Sequence, residues 1–143
     1  MRVYLAGPLF TPYERRFIDE CAAVLRGAGI DVFVPHEAEL AGEDTSAATI
    51  FAKDWNGLSP ANAVVAILDG PMVDDGTACE IGMFYGLMQS DPSKKGIVGL
   101  LTDMRGLRGE STGLNLFVQG AIEDVGRIVT SIEDARDVLR AWR

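Results

Sequence analysis

Histidine, cysteine and basic residues are all scarce in this chain, and each scarcity removes a class of function. With one His and two Cys in 143 residues and no His/Cys cluster, a zinc centre lacks the ligands it needs. The two thiols, Cys21 and Cys79, both fall inside predicted helices, which points to packed free thiols rather than a disulfide or a nucleophile. Lys and Arg total 13 against 21 Asp and Glu, for a net charge of -8. That balance argues against nucleic acid or an anionic membrane as partner, because both reward clustered cations. No apolar run approaches the roughly 20 residues of a membrane span, and the chain enters its first apolar strand without a charged leader or cleavage site. The expectation is a cytoplasmic protein that acts on a small molecule. Gly7-Pro8 has none of the further glycines of a dinucleotide fingerprint and no Lys-Ser/Thr of a P-loop.

What the chain does have is enough apolar residue, 48%, to build the core of one domain spanning residues 1–143. Strand and helix patterns alternate from end to end. Strands are expected at 2–6, 31–34, 63–68, 96–101 and 127–129. Helices are expected at 12–28, 47–57, 76–89 and 114–122, with a last one from Ser131, where Ser131-Ile132-Glu133-Asp134 is a capping pattern. The first helix would bury Phe17, Cys21, Val24, Leu25 and Ala28, and the second carries Ile50, Phe51 and Trp55. Residues 36–46 and 102–113 are Gly-containing loops. Right-handed crossovers turn this pattern into an α/β, doubly wound sheet of about five parallel strands in the order 2-1-3-4-5. Its ligand crevice opens at the carboxyl ends of the first and third strands, so Tyr4, Phe10 and the segment 74–80 are expected to face one pocket.

The most informative residue is Glu80. It falls on the stripe of Met83, Phe84 and Leu87 at helical spacing, where an ionised carboxylate must be paired, hydrogen-bonded or functional. Asp54 and Asp74 approach the same predicted cleft. Carboxylates gathered without a basic phosphate cradle or a serine nucleophile suit work at a glycosidic carbon, where one carboxylate stabilises or traps an oxocarbenium-like state and another acid serves the leaving group. Each residue also has a plain structural reading. Glu80 is then a buried carboxylate paired for stability, Asp74 a helix cap, Tyr4 a core tyrosine and Asp54-Trp55-Asn56-Gly57 a helix end with its stop glycine. Asn115 becomes a helix N-cap, His36 a loop residue beside Pro35, and Phe10 a seal over the first turn.

Four segments in order, Tyr4-Leu5-Ala6-Gly7-Pro8-Leu9-Phe10, Asp54-Trp55-Asn56-Gly57, Asp74 to Gly82 and Asn115-Leu116-Phe117-Val118-Gln119-Gly120, resemble the nucleoside 2-deoxyribosyltransferases over nearly the whole chain. The resemblance implies a flavodoxin-like domain that exchanges the base of a 2'-deoxynucleoside through a covalent deoxyribosyl-enzyme intermediate, with no cofactor. It implies that Glu80 is the nucleophile, that Tyr4 orients it, and that Asp74 and Asp54 contact the base, one of them moving the proton. It further implies that Asn115 reaches the sugar of a neighbouring subunit's site in a homo-oligomer, a dimer or a hexamer. Gly7 and Phe10 belong to the turn that would touch substrate. That turn lacks the Ser-, Gly- and Arg-rich character expected of relatives that hydrolyse monophosphates, which favours nucleosides. Arg15, Arg16, Arg105 and Arg108 are taken as surface charges. The C-terminal Leu139 to Arg143 looks like the end of an exposed helix, and no catalytic role for the terminal carboxylate is carried over. An N-glycosidase on the same scaffold and a non-catalytic nucleotide-binding domain are the two alternatives.

Overall fold

The computed structural model describes residues 1–38, 45–103, 105 and 113–143. The order of elements among them is β1 (Arg2–Ala6), α1 (Pro12–Gly27), β2 (Asp31–Phe33), α2 (Ala47–Leu58), β3 (Ala63–Ile67), α3 (Asp75–Met88), β4 (Gly96–Leu100), α4 (Leu116–Val125), β5 (Arg127–Val129) and α5 (Ile132–Ala141). The strands form one sheet in the order β2-β1-β3-β4-β5, every pair parallel. This is the doubly wound α/β arrangement expected of the alternating pattern. Parts of both Gly-containing loops, and Arg108 with them, lie outside the described residues.

Strand alternation sends successive side chains to opposite faces of the sheet. Val3 and Leu5 of β1, with Ala63, Val65 and Ile67 of β3, join the core under α1 and α5. Tyr4 and Ala6, with Val64, Ala66 and Leu68, join the core under α3 and α4. Both middle strands are buried on both faces, as a parallel sheet covered by helices requires. The faces differ in what they can hold, because only the second core receives a phenol from the sheet.

Helix starts follow local chemistry. Thr11 caps α1 in a reciprocal capping box with Glu14, Asp74 caps α3, and Ser131 caps α5 by accepting from the Asp134 amide at 3.1 Å. Two expectations about helix faces change. On α3 the buried stripe is Thr77, Ile81 and Phe84, one position away from the expected one, so Glu80 stands at its edge rather than in its middle. The C-terminal helix is docked rather than exposed: Ala135 and Leu139 are fully buried in the first core, and Arg143 donates to the Gly29 carbonyl at 2.5 Å. No helix among the described residues is long and apolar enough to cross a membrane.

Candidate active site

The site is built from β1, α2 and α3. Tyr4 occupies a central strand and has no exposed surface, and its ring leaves the sheet toward α3, where the hydroxyl donates to Glu80 Oε1. Glu80 reaches that hydroxyl from the second turn of α3, whose start is set by Asp74: Oδ2 accepts from the Thr77 amide at 2.9 Å and from Thr77 Oγ1 at 3.0 Å. Capping therefore occupies one oxygen of Asp74 and fixes the helix that carries Glu80.

Between α2 and α3 lies a cavity of about 380 Å³, lined by Asp54, Glu80, Phe51, Trp55, Cys79 and Met83 among others. Its walls are apolar apart from the two acids. Phe51 and Trp55 stack with centroids 6.3 Å apart and planes inclined by 7°, a flat aromatic wall one helical turn long. Asp54 Oδ1 is buried without a hydrogen-bond partner, although Lys53 Nζ lies 3.2 Å away as an ion pair and itself donates to the Pro35 carbonyl at 2.9 Å. The ion pair thus offsets charge without satisfying the oxygen. A buried acceptor in that condition calls for a donor, and the cavity is where a ligand would supply one.

The electrostatics fit a poised carboxyl. Burial raises the Glu80 pKa to about 7; the Tyr4 hydrogen bond opposes this, Asp54 and Asp74 add to it, and Lys53 opposes it. Burial, then the charge and hydrogen bond of Glu80, drives the Tyr4 phenol far above its usual range, so Tyr4 remains a donor. Glu80 consequently changes charge near neutral pH.

The expected site residues do not all gather here. Asp54 and Glu80 line the cavity, Tyr4 bonds Glu80 from the sheet side without lining it, and Asp74 stands at the start of the same helix. Gly7 sits at the end of β1, where a β-carbon would come 3.2 Å from both Ile18 Cδ1 and Ile67 Cβ; the missing side chain lets the chain leave the sheet between α1 and β3. Phe10 is 80% exposed and lines a separate depression with Arg15 and Arg16. Asn115 is exposed and caps α4, accepting from the amides of Phe117 and Val118. The crevice at the carboxyl ends of β1 and β3 is a third cavity, of about 290 Å³, on the α1 face, and its Asp69 is held by Thr102 and the Asp103 amide.

Sequence reasoning passed over several contributors. Phe51 and Trp55 are four residues apart around Asp54, a spacing that places both aromatics on one face of a helix without marking that face as a cavity wall. Cys79 is not packed as expected: it is exposed, lines the cavity and lies 3.7 Å from Met83 Sδ. Cys21 is buried, and burial raises its pKa to about 12. Among the described residues no group of three or more His, Cys, Asp or Glu is arranged to hold a metal ion.

Comparison with known proteins adds an independent line. The family model described as nucleoside 2-deoxyribosyltransferase matches residues 3–125. An uncharacterized protein of Ureaplasma parvum serovar 3 is 29% identical, over 94% of this chain and 90% of that one. A conserved protein from Enterococcus faecalis V583 has a solved structure that is 27% identical and superposes with a TM-score of 0.81, covering 99% of this chain and 98% of the other. The fold is shared with a 2-deoxyribosyltransferase from Bacillus psychrosaccharolyticus, 24% identical with a TM-score of 0.71 over 96% of this chain and 91% of that one.

Proposed function

Because the chain belongs to the nucleoside 2-deoxyribosyltransferase family, we propose that it cleaves the N-glycosidic bond of a 2'-deoxynucleoside and transfers the deoxyribosyl group to a second base. The observation that carries this reading is the Tyr4 hydroxyl on Glu80 Oε1 at the wall of a cavity that also presents Asp54.

In the first displacement a Glu80 carboxylate oxygen bonds to C1' as the C1'–N bond breaks, its electron pair leaving with the base. An acidic group delivers a proton to that base, and Asp74 is assigned this role, with Asp54 accepting an N–H of the base through its unsatisfied oxygen. The second base then attacks C1', the bond to Glu80 breaks, and the incoming base returns its proton to Asp74. Two inversions give net retention. Tyr4 keeps one carboxylate oxygen hydrogen-bonded throughout, which favours the ionised nucleophile. The chemistry needs no cofactor. Asn115 is assigned to the sugar hydroxyl of a neighbouring subunit's site, Gly7 and Phe10 to the substrate-facing turn, and the enzyme to the cytoplasm.

A hydrolase is the second reading. It is favoured by the 58% exposure of Phe51, which leaves one wall of the cavity open to water in a single chain, and water in place of the second base completes an N-glycosidase cycle. The test is to incubate the protein with deoxyadenosine or deoxyinosine, with and without free cytosine or adenine, and separate the products. A new deoxynucleoside formed only with acceptor base is the expected result. Free deoxyribose at a rate indifferent to acceptor would replace transfer by hydrolysis; if the nucleosides are inert, deoxynucleoside monophosphates are incubated next, and inertness there as well would leave a binding domain.

A further inference from the structure

We infer that Phe33 and Gly57, neither of which lines the Glu80 cavity, pack with Tyr4 into a column that holds the Tyr4 hydroxyl on Glu80, and that both are positioning residues for the nucleophile. The inference rests on the reading of Glu80 as the nucleophile. Tyr4 and Phe33 are partners in the β1–β2 register, so their side chains rise from the same face of the sheet. Their rings stack with centroids 5.4 Å apart and planes inclined by 16°. The ring of Phe33 is also covered by Arg2, whose guanidinium carbon lies 5.8 Å from its centroid.

Gly57 closes the column from the helix side. A β-carbon there would come within 2.5 Å of Phe33 Cδ1 and Cζ, well inside van der Waals contact. Gly57 lies in α2 and is absent from the glycines with positive φ, so the position does not demand glycine for its dihedrals. Glycine in a helix is less favourable than alanine; what the site requires is the space that the ring fills. The same turn of α2 carries Asp54 three residues earlier. Gly57, which sequence reasoning treats as a helix stop, is thereby the point where α2 closes on the Phe33 ring.

The groups facing Glu80 are Tyr4 from β1, Lys53 and Asp54 from α2, and Asp74 at the start of α3. Of these, Tyr4 is the one whose placement depends directly on the column. Loosening Phe33 therefore acts on Glu80 as removal of the Tyr4 hydroxyl does, by taking a hydrogen bond away from the ionised carboxylate.

The experiment follows the Glu80 carboxyl by carbon-13 NMR titration in the full chain, assigned by the signal lost in Glu80→Gln, with kcat and KM for deoxyadenosine measured in parallel. Phe33→Leu and Gly57→Ala are each expected to raise the Glu80 midpoint by about half a pH unit or more, the direction taken by Tyr4→Phe. They are expected to lower kcat severalfold while KM stays within about twofold. In the Tyr4→Phe background neither should move the midpoint further. Joining Gly57→Ala to Phe33→Leu makes room for the new methyl, so stability should recover while the midpoint stays raised. A folded Phe33→Leu variant with a wild-type midpoint overturns the inference, as does an undiminished shift in the Tyr4→Phe background. Should Gly57→Ala fail to fold, the milder Phe33→Leu decides. Titration and turnover fail separately: a coupled Glu80 in a protein that turns over no nucleoside would reject the nucleophile and leave the column, whereas an active enzyme with an uncoupled Phe33 would do the reverse.

Discussion

Glu80 is asked to be both buried and charged, and the residues around it divide that demand. Burial holds its pKa up, to about 7, and Tyr4 pulls it down. If the carboxylate is the nucleophile, kcat/KM rises with pH along a limb near 7, and Tyr4→Phe moves that limb to higher pH while slowing the reaction; a pH–rate profile of both proteins checks this. Stability moves the other way. A carboxyl whose folded pKa lies above its ordinary 4.5 favours folding most below that value and loses the contribution as pH rises through 7. The loss amounts to roughly 3 kcal/mol at most. Glu80→Gln cannot ionise, so it should gain stability over the wild type between pH 5 and pH 8, read as a urea midpoint, while turnover falls by on the order of a thousandfold or more. A variant that stays active removes Glu80 from the mechanism.

At the scale of the element, α3 shows one residue serving fold and chemistry together. Asp74 caps the helix through Oδ2, and the same side chain is the proposed proton carrier. Asparagine also caps helices well, so Asp74→Asn should hold stability to within about 0.5 kcal/mol and Asp74→Ala should lose about 1 kcal/mol. Both should slow turnover, because neither titrates; thermal melts beside rate measurements separate the two roles. The cap and the helix start were legible from Asp74 and the following segment. The buried stripe was not, because Ala78, Gly82 and Gly86 weaken the contrast between the faces of α3, and a one-residue rotation changes which side the sheet receives. The aromatic pair on α2 was present in the sequence as Phe51 and Trp55, yet nothing local distinguishes a cavity wall from a core stripe.

At the scale of the whole molecule, the proposed site is divided. Tyr4, Asp54 and Glu80 meet within one chain, whereas Asn115 is exposed beside Leu116 and Phe117, which are 81% and 88% exposed. Two large apolar side chains in open water next to a proposed substrate ligand fit an edge that another subunit covers. If Asn115 completes a neighbour's site, Glu80→Gln and Asn115→Ala proteins are each nearly inactive alone. Mixed and allowed to exchange subunits, they should regain activity, because some interfaces then pair an intact Glu80 with an intact Asn115. A mixture no more active than its parts, with exchange verified by mass, rules out the shared site.

The sequence alone determined the alternation of strands and helices, hence the parallel sheet and its order, because hydrophobic period and right-handed crossover leave few other arrangements. It also singled out Glu80, Tyr4, Asp54 and Asp74 as residue types suited to glycosidic chemistry. Tertiary structure alone decided which of them meet. Strand register set Tyr4 beside Phe33, the bare face of Gly57 let α2 close on that ring, and the rotation of α3 brought Glu80 to the phenol. These are contacts between residues distant in the chain, and distances of that kind arise only when the faces of the sheet and the angles of the helices are in place.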